Sequence, residues 1–293
     1  MHVLMTGTYG RCGTALLDHL TDDHDVTCFN RSDRPADHPY GGYDTVVGNV
    51  SDRAAIVDAT AGNDAIVHLA AYPYVESTWE DVLEPNVVGM YNALEAAREN
   101  EVETFVFGST NHVVGMYEEE HAPDIYHHTD LVLDEDSPVR PDSLYGASKA
   151  FGEDLLRYYV ENHDYPKRGY CLRICSVRHA EYDHPYGDAE RQVDQGKIER
   201  DSPEYDRQVA RMKAMWHSRR DFAHQVDCCL TDDSVEFDVF SGVSANHRRW
   251  FGIENARARI GYDPVDDGEQ WDAPPEWSGD ESVRGQSTAE IRE

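Results

Sequence analysis

The strongest constraint on this chain's fold lies at its start. A short apolar run, His2-Val3-Leu4-Met5, leads into Thr6-Gly7-Thr8-Tyr9-Gly10-Arg11-Cys12-Gly13, and Thr14-Ala15-Leu16-Leu17-Asp18-His19-Leu20 follows with helical spacing. Strand, glycine turn and helix in that order are the context in which a dinucleotide pyrophosphate rests on a helix N-terminus, where free N–H groups and the helix dipole favour an anion. Gly7 allows the tight turn, Gly10 lets the backbone approach the pyrophosphate, and Gly13 lets helix and strand pack closely. Arg11 and Cys12 lie inside the same turn and are assigned to it. The spacing is G-x-x-G-x-x-G, a weak string by itself, so its flanks carry the weight.

The rest of the chain agrees with that start. Apolar β-type runs recur at 2–6, 25–29, 44–47, 65–70, 103–109 and 170–175, and helical stretches fall near 12–20, 52–60, 78–99 and 143–163. Nearly continuous apolar strands alternating with helices predict an α/β fold, a Rossmann-type doubly wound parallel sheet covered on both faces. Sites in such sheets lie at the carboxyl ends of the strands. After residue 175 the pattern changes. Residues 179–209 are dense in charge, Tyr and Gln with little apolar periodicity and read as an insertion or lid. Helices are expected at 207–217, 221–230 and 249–260 and a strand at 235–240. The reading is one domain, 1–267, mainly dinucleotide-binding to 175 and with a small substrate-binding region over 176–267. An acidic, loosely held tail, 268–293, follows.

Tyr145-Gly146-Ala147-Ser148-Lys149 carries the chemistry. A tyrosine and a lysine at i and i+4 share one helix face. A phenol titrates near ~10, too high for a base at neutral pH. A nearby ammonium favours the phenolate, which can then take a proton from a substrate hydroxyl. Thr110, at a strand end upstream, is placed to assist, or to cap a turn.

With 57 acidic and 26 basic residues, four of them lysine, the chain carries a net charge of −31. The acids are spread along the chain rather than clustered. Such self-repulsion is screened at molar salt, where the Debye length is ~3 Å, so the composition reads as adaptation to a high-salt cytoplasm. It argues against nucleic-acid binding. No apolar run is long enough for a membrane span, and the first strand begins by residue 2, which leaves no room for a signal peptide. The six cysteines, Cys12, Cys28, Cys171, Cys175, Cys228 and Cys229, form no C-x-x-C pair, so buried reduced thiols are expected. His127-His128 and His179 with His184 sit in polar stretches and read as surface histidines. No metal site is expected.

Together these motifs resemble the extended short-chain dehydrogenase/reductase superfamily, the NAD-dependent epimerase/dehydratase group, over roughly residues 1–265. Within it, Ser109-Thr110-Asn111-His112-Val113-Val114-Gly115, Arg140 to Glu153 around the tyrosine, and Arg211-Met212-Lys213-Ala214-Met215-Trp216-His217-Ser218 are similar to uronate dehydrogenases and their haloarchaeal sugar-dehydrogenase relatives. The resemblance implies that Tyr145 takes the proton from a sugar C1 hydroxyl, Lys149 tunes the phenol and holds the nicotinamide ribose, and Thr110 donates to the reacting oxygen. It implies substrate contacts from Ser109, Asn111 and Ser176, and an anion partner in Arg211. Leu69, Ala70, Ala71, Asn86 and Ile174 would border the cofactor. Residues 117–130 and 179–209 read as insertions relative to the family, and Pro73 stands where the bacterial enzymes have a substrate-contacting serine.

The cofactor reading is NAD(P). An NAD enzyme usually offers Asp or Glu to the ribose after its second strand. Here Asn30 and Arg31 stand there, which leans to NADP or dual use, whereas the resemblance implies NAD. Asn49 and Val50 are placed to flank the adenine. The leading function is C1 oxidation of an acidic or phosphorylated sugar, a uronate or hexose phosphate. The alternative is a nucleotide-sugar epimerase or dehydratase with tightly bound NAD. A cytoplasmic homo-oligomer, paired through helices 78–99 and 143–163, is expected by the same resemblance.

Overall fold

In the computed structural model, which describes residues 1–127 and 129–275, seven strands form one parallel sheet. They are β1 (His2–Thr6), β2 (Asp25–Asn30), β3 (Thr45–Val47), β4 (Ala65–His68), β5 (Thr104–Thr110), β6 (Arg168–Ile174) and β7 (Phe237–Gly242), in the spatial order β3-β2-β1-β4-β5-β6-β7. The order reverses at β1, so the crevice between β1 and β4 is the switch point where open α/β sheets bind ligands. The helices are α1 (Arg11–Leu20), α2 (Arg53–Thr60), α3 (Trp79–Val82), α4 (Gly89–Glu99), α5 (Met116–His121), α6 (Leu144–Asn162), α7 (Gly187–Asp194), α8 (Pro203–Met215), α9 (Arg219–Thr231) and α10 (Glu254–Ile260).

Alternation along each strand builds a core on each face. Val3, Met5, Val67, Val106 and Leu172 point to the side covered by Leu16 and Leu17 of α1 and Phe222 and Val226 of α9. Leu4, Ile66, Phe105, Phe107 and Cys171 point to the other, covered by Ile56, Leu94, Ala97 and Leu156. Apolar burial on both faces is why the strands read as continuous runs.

The helix expected over 78–99 is broken. Between α3 and α4, Leu83–Val88 forms a π-helical turn around Pro85. A proline cannot donate to an α-helical ladder, and the wider turn accommodates it. Thr78 starts the segment with a capping box to Asp81.

The segment 179–209 is more ordered than its composition suggests. It contains a 3-10 turn, Ala180–Tyr182, then α7 and the start of α8. A small third core holds it, formed by Tyr186, Ala189 and Tyr205 with Val193, Ile198 and Trp271 against them. Its polar residues are paired inward: the Tyr205 hydroxyl donates to Glu190 at 2.6 Å, and Arg200 pairs with the same carboxylate. Trp271 also corrects the expectation of a loose tail from 268. Its ring stacks on His184 at 5.6 Å and meets Trp216 edge-on at 6.2 Å, while Lys213 Nζ donates to its carbonyl at 2.9 Å. His184 is thereby buried rather than superficial. The remainder of that tail, 276–293, and His128 lie outside the described residues.

Among the described residues no helix is long and apolar enough to cross a membrane. No group of three or more His, Cys, Asp or Glu among them could hold a metal ion. The six cysteines are free thiols.

Candidate active site

A cleft of ≈1130 Å³ opens at the carboxyl ends of β1, β2, β4, β5 and β6. At its floor Gly7 has φ +70°, and a Cβ there would lie 2.7 Å from Ala70 N; one on Gly13 would lie 2.2 Å from the Thr8 carbonyl oxygen. Both contacts are with backbone, so these positions require glycine. Gly10 caps α1 without any side-chain hydrogen bond, which leaves the first turn's N–H groups for an anion. Arg11, Cys12, Asn30, Arg31, Asn49, Val50, Leu69, Ala70, Ala71 and Ile174 line the same cleft. This donor set fits a dinucleotide, whose pyrophosphate would rest on the glycine turn, one ribose beside Asn30 and Arg31 and the adenine beside Asn49 and Val50. Asn30 Oδ1 also accepts from Tyr9 N at 3.4 Å, tying β2 to the glycine turn.

Asn86 is a correction. It does not line the cleft. It is buried behind the wall, accepting from Tyr72 N at 2.7 Å and donating to Ser148 Oγ at 2.9 Å, so it joins the loop after β4 to α6. Its role is to position those elements.

The candidate catalytic residues converge where β5 meets α6. Ser143 caps α6 by accepting from Gly146 N at 3.0 Å, which fixes the turn bearing Tyr145. Tyr145, Lys149 and Thr110 are all buried and all line the cleft. Burial pushes the Tyr145 phenol up to about 12, while a hydrogen bond from Thr110 pulls the other way, as does the Arg11 charge. Lys149 Nζ donates to the Gly108 carbonyl at 2.7 Å and sits 4.6 Å from the centre of the Phe107 ring. Burial lowers its ammonium to about 8. The groups that favour the phenolate are thus Thr110 and Arg11, and the lysine is held one step away on the strand backbone. Thr110 Oγ1 also accepts from His112 N at 3.3 Å, so it caps the 3-10 turn Asn111–Val114 as well. His112 is braced by Asp142 at 2.6 Å and packs 6.0 Å from the Tyr145 ring.

Ser109, Asn111, Ser176 and Arg211 all line the end of the cleft beyond Thr110, where two of them have partners of their own. The Ser109 hydroxyl turns inward and donates to Glu153 at 2.5 Å, joining a buried pair in which Arg173 Nη2 meets Glu153 at 2.9 Å. Arg211 is not waiting for an anion. Its Nε and Nη2 donate to the two oxygens of Glu118 on α5 at 2.5 and 3.1 Å. Arg178, which lines the cleft beside Ser176, escaped the sequence reading; it pairs with Asp188 of α7. Its position just past the carboxyl end of β6 was the available signal. Glu118 had none, being 93 residues from its partner.

Known proteins share this fold. The NAD dependent epimerase/dehydratase family matches residues 3–230. The NAD-dependent glucose-6-phosphate dehydrogenase of Haloferax volcanii is 35% identical over 269 residues, covering 90% of this chain and 93% of that protein. The L-arabinose 1-dehydrogenase (NAD(P)+) of the same organism is 32% identical, covering 90% and 96%. Among solved structures, glucuronic acid dehydrogenase from Chromohalobacter salexigens superposes with a TM-score of 0.71 at 28% identity, covering 98% of this chain and 96% of that one. The chain belongs to the NAD-dependent epimerase/dehydratase family, the extended short-chain dehydrogenases.

Proposed function

We propose that this protein is an NAD(P)-dependent sugar dehydrogenase that oxidises the C1 hydroxyl of an aldose or aldose derivative to the lactone. The observation that carries this reading is the meeting of Tyr145, Thr110 and Lys149 at one end of a dinucleotide-shaped cleft. The phenolate of Tyr145 takes the hydroxyl proton as the C1–O bond becomes a carbonyl, and Thr110 donates to the oxygen on which charge develops. The bound cofactor supplies the hydride acceptor. Lys149 lies beside the nicotinamide ribose, and Asn111 and Ser176 orient sugar hydroxyls. Two relatives that each cover 90% of this chain, a glucose-6-phosphate and an arabinose dehydrogenase by name, support the reaction class. The test is purified protein in molar KCl with NAD or NADP, screened against aldoses, uronates and hexose phosphates for reduced nicotinamide. Consumption of a nucleotide sugar with no net reduction would replace the reading with an epimerase or dehydratase.

The dinucleotide choice turns on Arg31, which is exposed on the cleft wall after β2. The nearest following carboxylate, Asp33, is occupied by Tyr9 and by the Arg34 backbone. Arg31→Ala is expected to weaken NADP by roughly 1.5–3 kcal/mol, the range for hydrogen bonds to charged groups, and to leave NAD nearly unchanged. Titration of both cofactors checks this, and equal losses would make Arg31 a surface charge only.

Dimerisation through α3, α4 and α6 is also proposed, because Trp79, Tyr91, Phe151 and Tyr158 expose apolar surface on those helices. Sedimentation in molar salt that finds a single-chain species only would refute it.

A further inference from the structure

We propose that the sugar end of this cleft is built for an uncharged aldose, and that Glu118 sets the preference by occupying Arg211. The inference rests on the dehydrogenase reading above and departs from the acidic or phosphorylated sugar suggested by the arginine motif.

Two guanidinium groups face this end of the cleft, Arg178 and Arg211. Each already has a carboxylate. Arg211 holds Glu118 through two hydrogen bonds of 2.5 and 3.1 Å, and the pair is largely buried, with side chains 21% and 13% exposed. The Tyr126 hydroxyl donates to Glu118 at 2.9 Å and keeps that carboxylate in place. Arg178 holds Asp188, which Arg191 also approaches at 3.4 Å. His112, nearby, faces Asp142. Arg11, on the first turn of α1, acts on both Tyr145 and Arg178, and the Lys149 ammonium is held on the Gly108 carbonyl. The charges of Arg178 and Arg211 are therefore each offset by a carboxylate of this chain.

Coulomb attraction falls as 1/r. An anion ~4 Å from a guanidinium and ~6.5 Å from the carboxylate behind it keeps roughly two-fifths of the attraction it would have to the cation alone. It must still give up its own hydration to enter a mostly buried site. A neutral sugar hydroxyl meets no such difficulty, since a paired guanidinium still has N–H groups to donate and its carboxylate can accept. Glu118 is carried by α5, 93 residues from Arg211 and outside the arginine motif, so the motif alone does not supply the pairing.

The experiment compares sugars that differ only at C6, using enzyme saturated with NAD(P): galactose against galacturonate, and glucose against glucuronate and glucose 6-phosphate. The wild type is expected to favour the neutral member in kcat/KM. Glu118→Gln keeps the shape but frees the Arg211 charge, and should raise the uronate-to-aldose ratio ~10- to 100-fold, mainly through KM. A wild type that prefers the charged sugar, or a Glu118→Gln ratio that does not move, overturns the proposal. If Glu118→Gln does not fold, competition on the wild type decides: a galacturonate inhibition constant below the galactose KM overturns it. Absence of reduced nicotinamide with every sugar would instead defeat the dehydrogenase reading, and equilibrium binding of the same pairs to NAD-loaded protein then decides the charge preference by itself.

Discussion

Tyr145→Phe is expected to lower turnover ~10²–10⁴-fold, the usual contribution of a positioned general base, while NAD(P) affinity stays within a few-fold. On the proposed mechanism the phenol meets the reacting hydroxyl while the glycine turn takes the dinucleotide, so the two effects separate. pH adds a sharper readout. In the folded protein without cofactor the phenol is pushed up to about 12 and the lysine down to about 8. At neutral pH the base is therefore mostly protonated, and kcat/KM should climb as pH rises through the neutral and mildly alkaline range. Stability moves with the same groups. The lowered Lys149 means that the unfolded chain binds its proton more tightly between about 8 and 10.5, so its contribution to stability is present above 10.5 and is lost as pH falls through 8. The raised Tyr145 contributes below 10, and that contribution is lost as pH rises through about 12. Tyr145→Phe should flatten the activity profile as well as lower it. Activity near wild type with an unchanged profile would remove Tyr145 from the base position.

Much of this site could be read from the sequence because its parts are local. A glycine turn between strand and helix, and a tyrosine and lysine one helical turn apart, are each set by spacing within a few residues. The alternation of Val3, Leu4 and Met5 between the two cores is equally local. What escaped is what the fold brings together from afar. Arg211 and Glu118 are 93 residues apart, and nothing in either segment announces the other. Residues 179–209 looked irregular because their order rests on tyrosine–carboxylate pairs and on Trp271, not on a periodic apolar stripe. Ser109 shows the same limit within a motif, since its neighbour Thr110 faces the phenol while its own hydroxyl faces Glu153.

That inward-facing network carries the other large expected effect. Arg173 and Glu153 have side chains only 6% exposed, and the pair joins β6 to α6 directly beneath the catalytic residues. Glu153→Leu would leave a guanidinium in the interior with neither its carboxylate nor water, and would also remove the acceptor of the Ser109 hydroxyl. Breaking a buried pair in this way costs about 3–5 kcal/mol, because the surviving charge keeps its desolvation penalty and loses the interaction that offset it. Replacing both partners removes the penalty as well as the attraction. Glu153→Leu combined with Arg173→Met should therefore recover most of the loss, with a coupling well outside the few tenths expected of independent sites. Denaturant unfolding of the wild type, the two single variants and the double variant, all in molar KCl, measures that coupling. Additive losses would mean that the two residues act separately. The activity of the double variant then separates two roles for the pair: if kcat falls while stability is restored, the ion pair also sets where β5 ends and hence where Thr110 meets the phenol.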